Sequence, residues 1–250
     1  MSAFLVLLRK ELKEHLRTHR LLIVVAVFFT FGLGTPLLLN YMRFLVPAGS
    51  GITIMLPEFT AADAVKEYVD TVGQVGLIAA ILIAMGSVAR EREQGTAAMT
   101  LSKPVGCGAF VGAKLAALAL TFSAGTATGA IGCYTYTVIL FGGISAMSFL
   151  ASNLLMGLYL LVCLAVTLMY SSLFKNQLAA GGLALVSLIG LAATSVLPLL
   201  KEYSPGALPG WAQRLAGTGG ENAWGALAVS TAVVIVATVV AWQALKRKEL

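Results

Sequence analysis

The stretch AREREQGTAAMTLSKPV, residues Ala89–Val105, is a polar and charge-dense segment in the interior of a chain whose flanking sequence is apolar. Its charged side chains require water, because ionisable groups are costly in the hydrocarbon of a membrane. The apolar flanks are long and nearly free of charge. This contrast predicts a loop that lies outside a lipid bilayer and connects two segments that cross it.

The composition of the chain agrees with a membrane protein. Hydrophobic residues make up 58% of the 250 residues and charged residues 11%, with a mean hydropathy of +0.89. In soluble domains about a quarter of the residues are charged. From Leu115 to Phe174 the sequence contains no Asp, Glu, Lys or Arg. A helix crosses the roughly 30 Å hydrocarbon core with about 20 residues, so this run predicts two spans with a break near Gly142.

The apolar runs together predict an all-α integral membrane protein with six transmembrane helices, because backbone groups in lipid must be hydrogen-bonded within their own segment. The predicted spans cover residues 21–42, 71–89, 113–141, 148–173, 178–200 and 224–243. With the N-terminus in the cytoplasm, 13 of the 17 Lys and Arg residues lie on the cytoplasmic side. This asymmetry predicts that both termini are cytoplasmic.

Residues 1–20 carry the pattern of an amphipathic helix that lies in the membrane interface. Leucines recur at helical spacing on one face and charged residues occupy the other: Leu5, Leu8, Leu12 and Leu16 against Arg9, Lys10, Lys13, Glu14 and Arg17. Two roles remain open for this segment, an orientation anchor for the first span and a contact with a cytoplasmic partner.

The segment before the second span is predicted to begin with a capped helix. Thr60 is followed three residues later by Asp63, the spacing of a capping box, and a short helix is expected to run on into span two. The acidic side chains around it favour a solvated helix face over a cation or substrate vestibule: Glu58, Asp63, Glu67 and Asp70.

The charged stretch itself is predicted to form a short amphipathic helix on a stalk. Arg90 to Glu93 alternate in charge as the chain leaves the membrane, and Gly95 permits a turn. Thr96 can cap the helix that follows, and Pro104 ends it. A generic connection between two spans requires no such construction.

Taken in order, these segments resemble the ABC-2 type permeases, the transmembrane subunits of bacterial and archaeal ABC exporters. Arg92–Thr96, REQGT, through Lys103-Pro104 is similar to the loop after their second span, and Leu8–Leu12, LRKEL, is similar to their N-terminal helix. Tyr203-Ser204-Pro205 resembles their external loop between spans five and six, and the short basic tail Lys246–Leu250 also fits. The resemblance covers the whole chain and implies a type V exporter-like permease fold.

The resemblance implies a single permease domain over residues 1–250. Its parts are the interfacial helix 1–20, spans one and two in 21–89, a cytoplasmic coupling helix in 90–110, spans three to five in 111–200, an external re-entrant pair of short helices in 201–223, and span six with the tail in 224–250. It also implies a homodimer with spans one and five at the interface, bound to two cytoplasmic ABC ATPase subunits. Those partners, and not this chain, are expected to hold ATP and Mg.

In that family the interfacial helix and the segment after span two dock on the ATPase. The residues that the resemblance assigns to coupling are Arg9, Lys10, Glu11, Arg90, Glu91, Arg92, Glu93, Gly95, Thr96, Lys103 and Pro104. A short capped helix joined to a spanning helix can transmit a rigid-body shift, which is a physical reason for such a role. The simpler alternative is that Arg90 to Glu93 only mark the membrane boundary, with their charges extended toward water.

Nucleotide, metal and catalytic sites are not expected in this chain. The glycine-rich run Gly106–Lys114 departs from a phosphate-binding loop, because Ala113 separates glycine from lysine and no Ser or Thr follows. His15 and His19 share a helix face, but a third metal ligand is missing nearby. The net charge of +6 follows from the membrane topology and does not favour a nucleic-acid partner. The cysteines are interpreted as packing residues without a disulfide: Cys107, Cys133 and Cys163.

Polar residues inside the spans are candidates for a substrate path, because an unpartnered polar group is costly in hydrocarbon. They are Asn40, Gln74, Tyr134, Tyr136 and Asn153. Hydrogen bonding between helices explains each of them as well. The small-residue spacing from Gly125 to Gly129 predicts close helix packing instead of contact with cargo.

Two classes of function remain open. The first is the membrane subunit of an ATP-driven exporter that works by alternating access; the second is an ATP-independent small carrier or a membrane anchor of a cytoplasmic complex. An ion-coupled carrier requires an ionisable cluster near the middle of the membrane, which the sequence of the spans lacks. The paucity of charge favours an apolar or amphipathic cargo, and membrane lipids are the remaining partner.

Overall fold

The computed structural model describes residues 3–45, 59–96, 106–197, 200, 202–217 and 223–247, and the regular structure within these residues is helical. The helices are α1 (Ala3–Arg17), α2 (Arg20–Leu45), α3 (Ala61–Ala84), α4 (Ala89–Glu93), α5 (Cys107–Phe141), α6 (Ala146–Leu173), α7 (Gln177–Ala193), α8 (Ala207–Ala216) and α9 (Trp224–Arg247). A 3-10 turn, Thr194–Val196, continues α7.

Six segments of the described chain are long and apolar enough to cross a membrane: α2, α3 together with α4, α5, α6, α7 with its 3-10 turn, and α9. The predicted all-α membrane protein with six spans is therefore confirmed. An even number of crossings brings α1, α4, the start of α5 and the end of α9 to one membrane face, which we call the α4 face. We call the opposite face, which carries α8, the α8 face.

The second span begins ten residues before its predicted start at residue 71, because its N-terminus is capped as the sequence pattern indicated. The Thr60 hydroxyl accepts a hydrogen bond from the Asp63 backbone N–H at 3.4 Å, and an Asp63 carboxylate oxygen accepts one from the Thr60 N–H at 2.9 Å. This reciprocal pair satisfies two of the backbone donors that a helix start leaves open. Val65, Tyr68 and Val69 then form a fully buried stripe along the first turns of α3.

The spans are arranged in two groups that meet at α2 and α3 as well as at α5 and α6. Helix α5 packs mainly against α2 and α1, whereas α6 packs mainly against α9, α3 and α8. The contact between α2 and α5 is made at backbone distance: a Cβ on Gly129 would lie 2.7 Å from the Phe28 carbonyl oxygen, and one on Gly125 would lie 2.7 Å from the Val24 side chain. The packing role predicted for Gly125 to Gly129 is confirmed, since only glycine permits this approach.

At the α8 face, the segment that was expected to hold two short re-entrant helices contains one α-helix in its described part, residues 202–217. This helix, α8, lies over α3 and α6. The Ser152 hydroxyl donates to the Ala212 carbonyl oxygen at 2.7 Å, and the Gln213 amide donates to the Asp70 carboxylate. Trp211 is buried edge-on against Trp224, with ring centroids 5.6 Å apart.

Candidate functional site

Helix α1 has three faces, whereas its sequence pattern suggested two. Leu7, Glu11 and His15 recur every four residues and are buried against the bundle, where α5 is the main neighbour. Leu5 and Leu16, from the predicted leucine stripe, are exposed. An exposed apolar stripe is expected for a helix in the membrane interface, because that stripe contacts lipid. Leu5 and Leu16 therefore indicate a lipid-facing side, whereas Leu8 of the same stripe packs against the core beside the buried face.

A buried ionic cluster joins α1, α4 and α5 at the α4 face. The Lys114 ammonium of α5 lies 3.1 and 3.0 Å from the two carboxylate oxygens of Glu11, and 3.0 Å from one oxygen of Glu91 on α4. The side chains of Lys114 and Glu11 are only 3% and 5% exposed. Lys10 lies at the edge, 3.8 Å from Glu11 and 3.9 Å from Glu91, with about half of its side chain exposed. One ammonium thus binds carboxylates from two separate elements, and Lys10 supplies a second positive charge at the edge.

The second carboxylate oxygen of Glu91 is buried and has no hydrogen-bond partner among the described residues. Carboxylate oxygens of Glu11, Glu14 and Glu91 lie within 4.8 Å of one another, a spacing compatible with a metal ion. The Lys114 ammonium, at 3.0 Å from both Glu11 and Glu91, already supplies a positive charge there. We therefore interpret the cluster as an ion-pair network.

A second buried contact holds α1 to α5. The His15 ring nitrogen Nδ1 lies 2.8 Å from the Thr121 hydroxyl, which itself donates to the Ala117 carbonyl oxygen at 2.9 Å. Because the Thr121 proton is used in that bond, His15 Nδ1 must carry the hydrogen and donate it. Burial, and then the positive charge of Arg20, lower the pKa of His15 from 6.5 to about 4. His15 is therefore neutral at physiological pH.

Helix α4 is fixed to the end of α6 by two neighbouring serines. The Ser171 hydroxyl accepts hydrogen bonds from the backbone N–H groups of Val88 and Ala89, both at 3.0 Å, and donates to the Met85 carbonyl oxygen at 2.8 Å. It thereby spans the break between α3 and α4. The Arg92 guanidinium is buried and donates to the backbone carbonyl oxygen of the next serine at 2.6 Å.

The predicted coupling residues fall into exposed, buried and intermediate sets. Glu11 and Arg92 are buried and bind other helices of the same chain, and Glu91 is half-buried between them. Lys103 and Pro104 lie outside the described residues. The exposed set consists of Arg9, Lys10, Arg90, Glu93, Gly95 and Thr96.

Gly95 adopts the predicted turn, with a left-handed φ of +72° that favours glycine, immediately beyond α4.

Two of the predicted path residues, Tyr134 and Asn153, come together in a groove of about 870 Å³ between α5 and α6. The groove is mostly apolar and runs from Ala119 to Thr135 along α5. Asn153 accepts a hydrogen bond from the Tyr68 hydroxyl at 3.1 Å and donates to a backbone carbonyl within α6 at 2.9 Å. The bond to Tyr68 is the inter-helix partnership that was expected of a polar residue in a span.

The other three predicted path residues do not line this groove. Gln74 is exposed on the outer side of α3, and Asn40 and Tyr136 are half-buried on α2 and α5. The structure therefore brings together Tyr134 and Asn153 only.

Comparison with known proteins assigns the family. The family described as "ABC-2 family transporter protein" matches residues 5–216. This chain belongs to the ABC-2 family of transporter proteins. A relative in Bacillus subtilis (strain 168), the uncharacterised transmembrane protein YxlG, is 28% identical over 211 residues, which cover 82% of this chain and 81% of that protein.

As a member of the ABC-2 family, the chain is a membrane permease component of an ABC transporter and a multi-pass protein of the cell membrane. The family resemblance inferred from the sequence is confirmed. Permeases of this family are transport subunits, not catalytic ones, and associate with ABC ATPase partners.

The sequence predicted the helices of this ABC-2 chain, but it did not predict which side chains contact one another. Lys114 was counted as one of the basic residues of the cytoplasmic side, although it is buried against Glu11. Its position one residue before the long charge-free run was the available signal. For α1, the spacing of Glu11 and His15 four residues apart was the corresponding signal of a shared polar contact face.

Proposed function

We propose that this chain is the permease of an ATP-driven exporter, which forms a homodimer and is driven by two cytoplasmic ABC ATPase subunits. The observation that carries the proposal is the position of α4. This short helix presents exposed charges next to groups that are tied to three other helices. A partner that moves the exposed side of α4 therefore acts on the bundle through fixed contacts.

The exposed surface consists of Arg90 and Glu93 on α4, Gly95 in the turn that follows, and Arg9 and Lys10 on α1. The four charged side chains among them extend from one face of the protein and carry three positive charges and one negative charge, which suits a partner with complementary charges. The buried groups behind them join α4 to α6 through a serine pair and to α5 through an ion pair. Coupling through such packed contacts is the usual route for a rigid-body shift.

The excess of Lys and Arg, 13 of 17, supports a cytoplasmic α4 face. An ATPase that hydrolyses cytoplasmic ATP would then meet α4 directly. Reversed insertion would put α8 on the side of the ATPase, where the described loop between α7 and α9 offers few charges.

The outer surfaces of α2 and α7 are the surfaces on which a second copy is expected. Large apolar side chains remain exposed along both helices, among them Leu22 and Phe29 on α2, and Leu178 and Val186 on α7. These helices are spans one and five, the pair that the family resemblance assigns to the dimer interface. Lipid is the alternative neighbour of the same surfaces.

The groove between α5 and α6 supports an apolar or amphipathic cargo. Its lining is mostly aliphatic, with Tyr134, Thr135 and Asn153 toward the α8 face. Ser123 and Thr126 add two hydroxyl groups nearer the other end, so a mainly apolar cargo with a few polar groups fits this lining. Ionic cargo is disfavoured because the buried charged residues of the described chain, Glu11, Arg92 and Lys114, lie at the α4 face and away from the groove lining. The same distribution disfavours an ion-coupled carrier.

The proposal is tested by co-purification in mild detergent with the ABC ATPase encoded nearest to this gene. We expect the wild-type chain to form a complex whose ATPase activity depends on the permease. Glu93→Gln and Gly95→Ala should weaken that dependence several-fold without loss of folded protein, because the first removes an exposed charge and the second disfavours the left-handed turn.

A matched control is Glu67→Gln, which removes an exposed carboxylate from α3 near the α8 face. It should leave both binding and activity unchanged. Normal coupling in Glu93→Gln and Gly95→Ala would exclude this α4 surface as the docking site. Absence of any ATPase complex with the wild-type chain would favour the carrier or anchor function.

A further inference from the structure

We propose that the contact between Glu91 and Lys114 is a releasable link between two groups of helices, and that Lys114 positions α4 relative to α1 and α5. This inference rests on the proposed function, because the ATPase is the partner expected to release the link. The link itself is a property of the permease alone and can be measured without the ATPase.

The first group consists of α1 and α5. Two buried contacts, between Glu11 and Lys114 and between His15 and Thr121, join these helices about one turn of α1 apart. Neither contact involves α4. Helix α1 is therefore expected to move together with α5.

The second group consists of α4 and α6. The Ser171 hydroxyl binds the backbone on both sides of the break before α4, and Arg92 binds the end of α6 through a short hydrogen bond. Among the ion pairs of the described residues, α4 reaches a side chain of α5 through the Glu91 carboxylate. In addition to the direct packing of α5 on α6, the two groups are joined at the α4 face through the Glu91 carboxylate, which lies 3.0 Å from Lys114 of α5 and 3.9 Å from Lys10 of α1.

The two partners of Lys114 are not equivalent. Glu11 offers it both carboxylate oxygens and is almost completely buried, whereas Glu91 offers one oxygen and its side chain is 17% exposed. The other oxygen of Glu91 is buried without a partner. A buried group that lacks a hydrogen bond is destabilised, and it gains one when water reaches it.

Release at Glu91 therefore leaves no uncompensated buried charge. Lys114 keeps Glu11 as its counter-ion, and the freed Glu91 carboxylate becomes hydrated. Release at Glu11 would instead remove the fully buried partner and separate α1 from α5. Because an unpaired buried charge is strongly destabilising, the contact with Glu91 is the one that can open at low free-energy cost.

The position of the link connects it with the groove. Lys114 precedes Ala119, the first groove residue of α5, by five residues, or about 7.5 Å along the helix. Glu91 lies between Arg90 and Glu93, which are exposed on α4 and available to a partner. A shift of α4 driven by the ATPase would therefore separate the helix groups at the end of the groove that is nearest to the α4 face.

The first experiment measures amide hydrogen exchange in the purified permease alone. The reporting amides are those of Arg90, Arg92 and Gln94, which donate to backbone carbonyls across the break and α4. Glu91→Gln removes the charge that binds Lys114, and we expect exchange at these amides to rise roughly tenfold. Glu93→Gln removes a charge of the same type from the same helix without touching Lys114, so exchange should change by less than about twofold.

A mirror variant reports on the other partner. Glu11→Gln should raise exchange in α1, around His15, more than in α4. Equal exchange in Glu91→Gln and Glu93→Gln, or a rise confined to α1 in Glu91→Gln, would overturn the inference that Glu91 holds α4 to α5.

The second experiment repeats the measurement in the complex with an ATPase whose hydrolysis is blocked by mutation. ATP with Mg should raise exchange at the α4 amides of the wild-type permease and leave the α1 amides from Leu7 to His15 unchanged. In Glu91→Gln the α4 amides should already exchange rapidly, and nucleotide should add little. A purely structural ion pair would instead keep exchange at the α4 amides of the wild type low, both with and without nucleotide.

The outcomes separate this inference from the proposed function. If the wild-type chain forms no complex with an ATPase, the proposed function and the release step fail together, while the first experiment still decides whether Glu91 is the link. If the complex forms and nucleotide changes α1 together with α4, or neither of them, the exporter function stands and the releasable link is refuted.

Discussion

The α4 face and the α8 face hold the same bundle together with different chemistry. At the α4 face, Lys114 binds two carboxylates in a nearly water-free position. At the α8 face, the contacts that position α8 include no ion pair among the described residues: the Ser152 hydroxyl donates to a backbone carbonyl, the Gln213 amide donates to the Asp70 carboxylate, and the Trp211 and Trp224 rings pack together. Buried ion pairs gain or lose much free energy when one partner leaves, whereas neutral hydrogen bonds contribute modestly. The α4 face is thus the end that charge, protons or a charged partner can alter.

The substitution Lys114→Met is expected to cause the largest loss of stability, and that loss arises at the α4 face. The substitution keeps an unbranched side chain and leaves the Glu11 and Glu91 carboxylates facing each other without the ammonium. Removal of one partner from a buried ion pair costs about 3 to 5 kcal/mol of unfolding free energy. Thermal unfolding in detergent measures the loss, and the double variant Lys114→Met with Glu11→Gln should recover part of it. Unchanged stability in the single variant would contradict the assignment of the cluster as a buried ion network.

The second prediction is that the free energy of unfolding depends on pH through a group at the α4 face, His15. The pKa of His15 is about 4 in the folded protein and 6.5 as an ordinary value, so the unfolded chain binds more protons between these pH values. The contribution of His15 is complete above pH 6.5 and is lost as the pH falls toward 4. The free energy of unfolding should therefore decrease by about 2 to 3 kcal/mol across this window.

Unfolding of the wild type and of His15→Gln, compared at pH 7.5 and pH 5, checks this expectation. The substituted glutamine can still hydrogen-bond but does not titrate, so its stability should fall less with acid. An equal fall in both proteins would assign the pH dependence to another group.

The smallest of the three effects is expected at the α8 face from Ser152→Ala. The hydroxyl donates to the Ala212 carbonyl, and its loss leaves that carbonyl without the bond to α6. A neutral hydrogen bond of this type contributes about 1 kcal/mol. Stability should therefore fall by a third or less of the loss in Lys114→Met, and the loss should be the same at pH 7.5 and pH 5. A pH-dependent loss in Ser152→Ala would remove the distinction between the two faces.

The parts of the structure that follow from local sequence were predictable. Thr60 and Asp63 are three residues apart and cap α3 as expected, and Gly95 adopts the turn for which only glycine is well suited. The six spans follow from the length of apolar runs. In these cases the deciding interaction lies within a few residues or within one helix.

The contacts of the candidate site were not predictable, because they join residues far apart in the chain. Glu11 and Lys114 are separated by 103 positions, and hydropathy does not reveal which face of a helix meets which neighbour. For the same reason the position of Gln74 was not predicted: it is polar and inside a span, yet it faces away from the groove. Arg92 was predicted to be a coupling residue, whereas its guanidinium is buried and binds the backbone at the end of α6. Periodicity in the sequence identifies helices and their polar and apolar faces. Which face packs against which neighbouring helix is known only from the three-dimensional structure.

Helix α5 is longer than a membrane requires, with 35 residues in all. Its uncharged part, residues 115–141, extends about 40 Å at 1.5 Å per residue, against a hydrocarbon thickness of about 30 Å. Such a mismatch is relieved by tilting the helix or thickening the bilayer around it. Because α1 is joined to α5 by two buried contacts, the inclination that a particular bilayer imposes on α5 is passed to α1 at the surface. The acyl-chain length of the host lipids is therefore part of what sets the resting geometry of the α4 face.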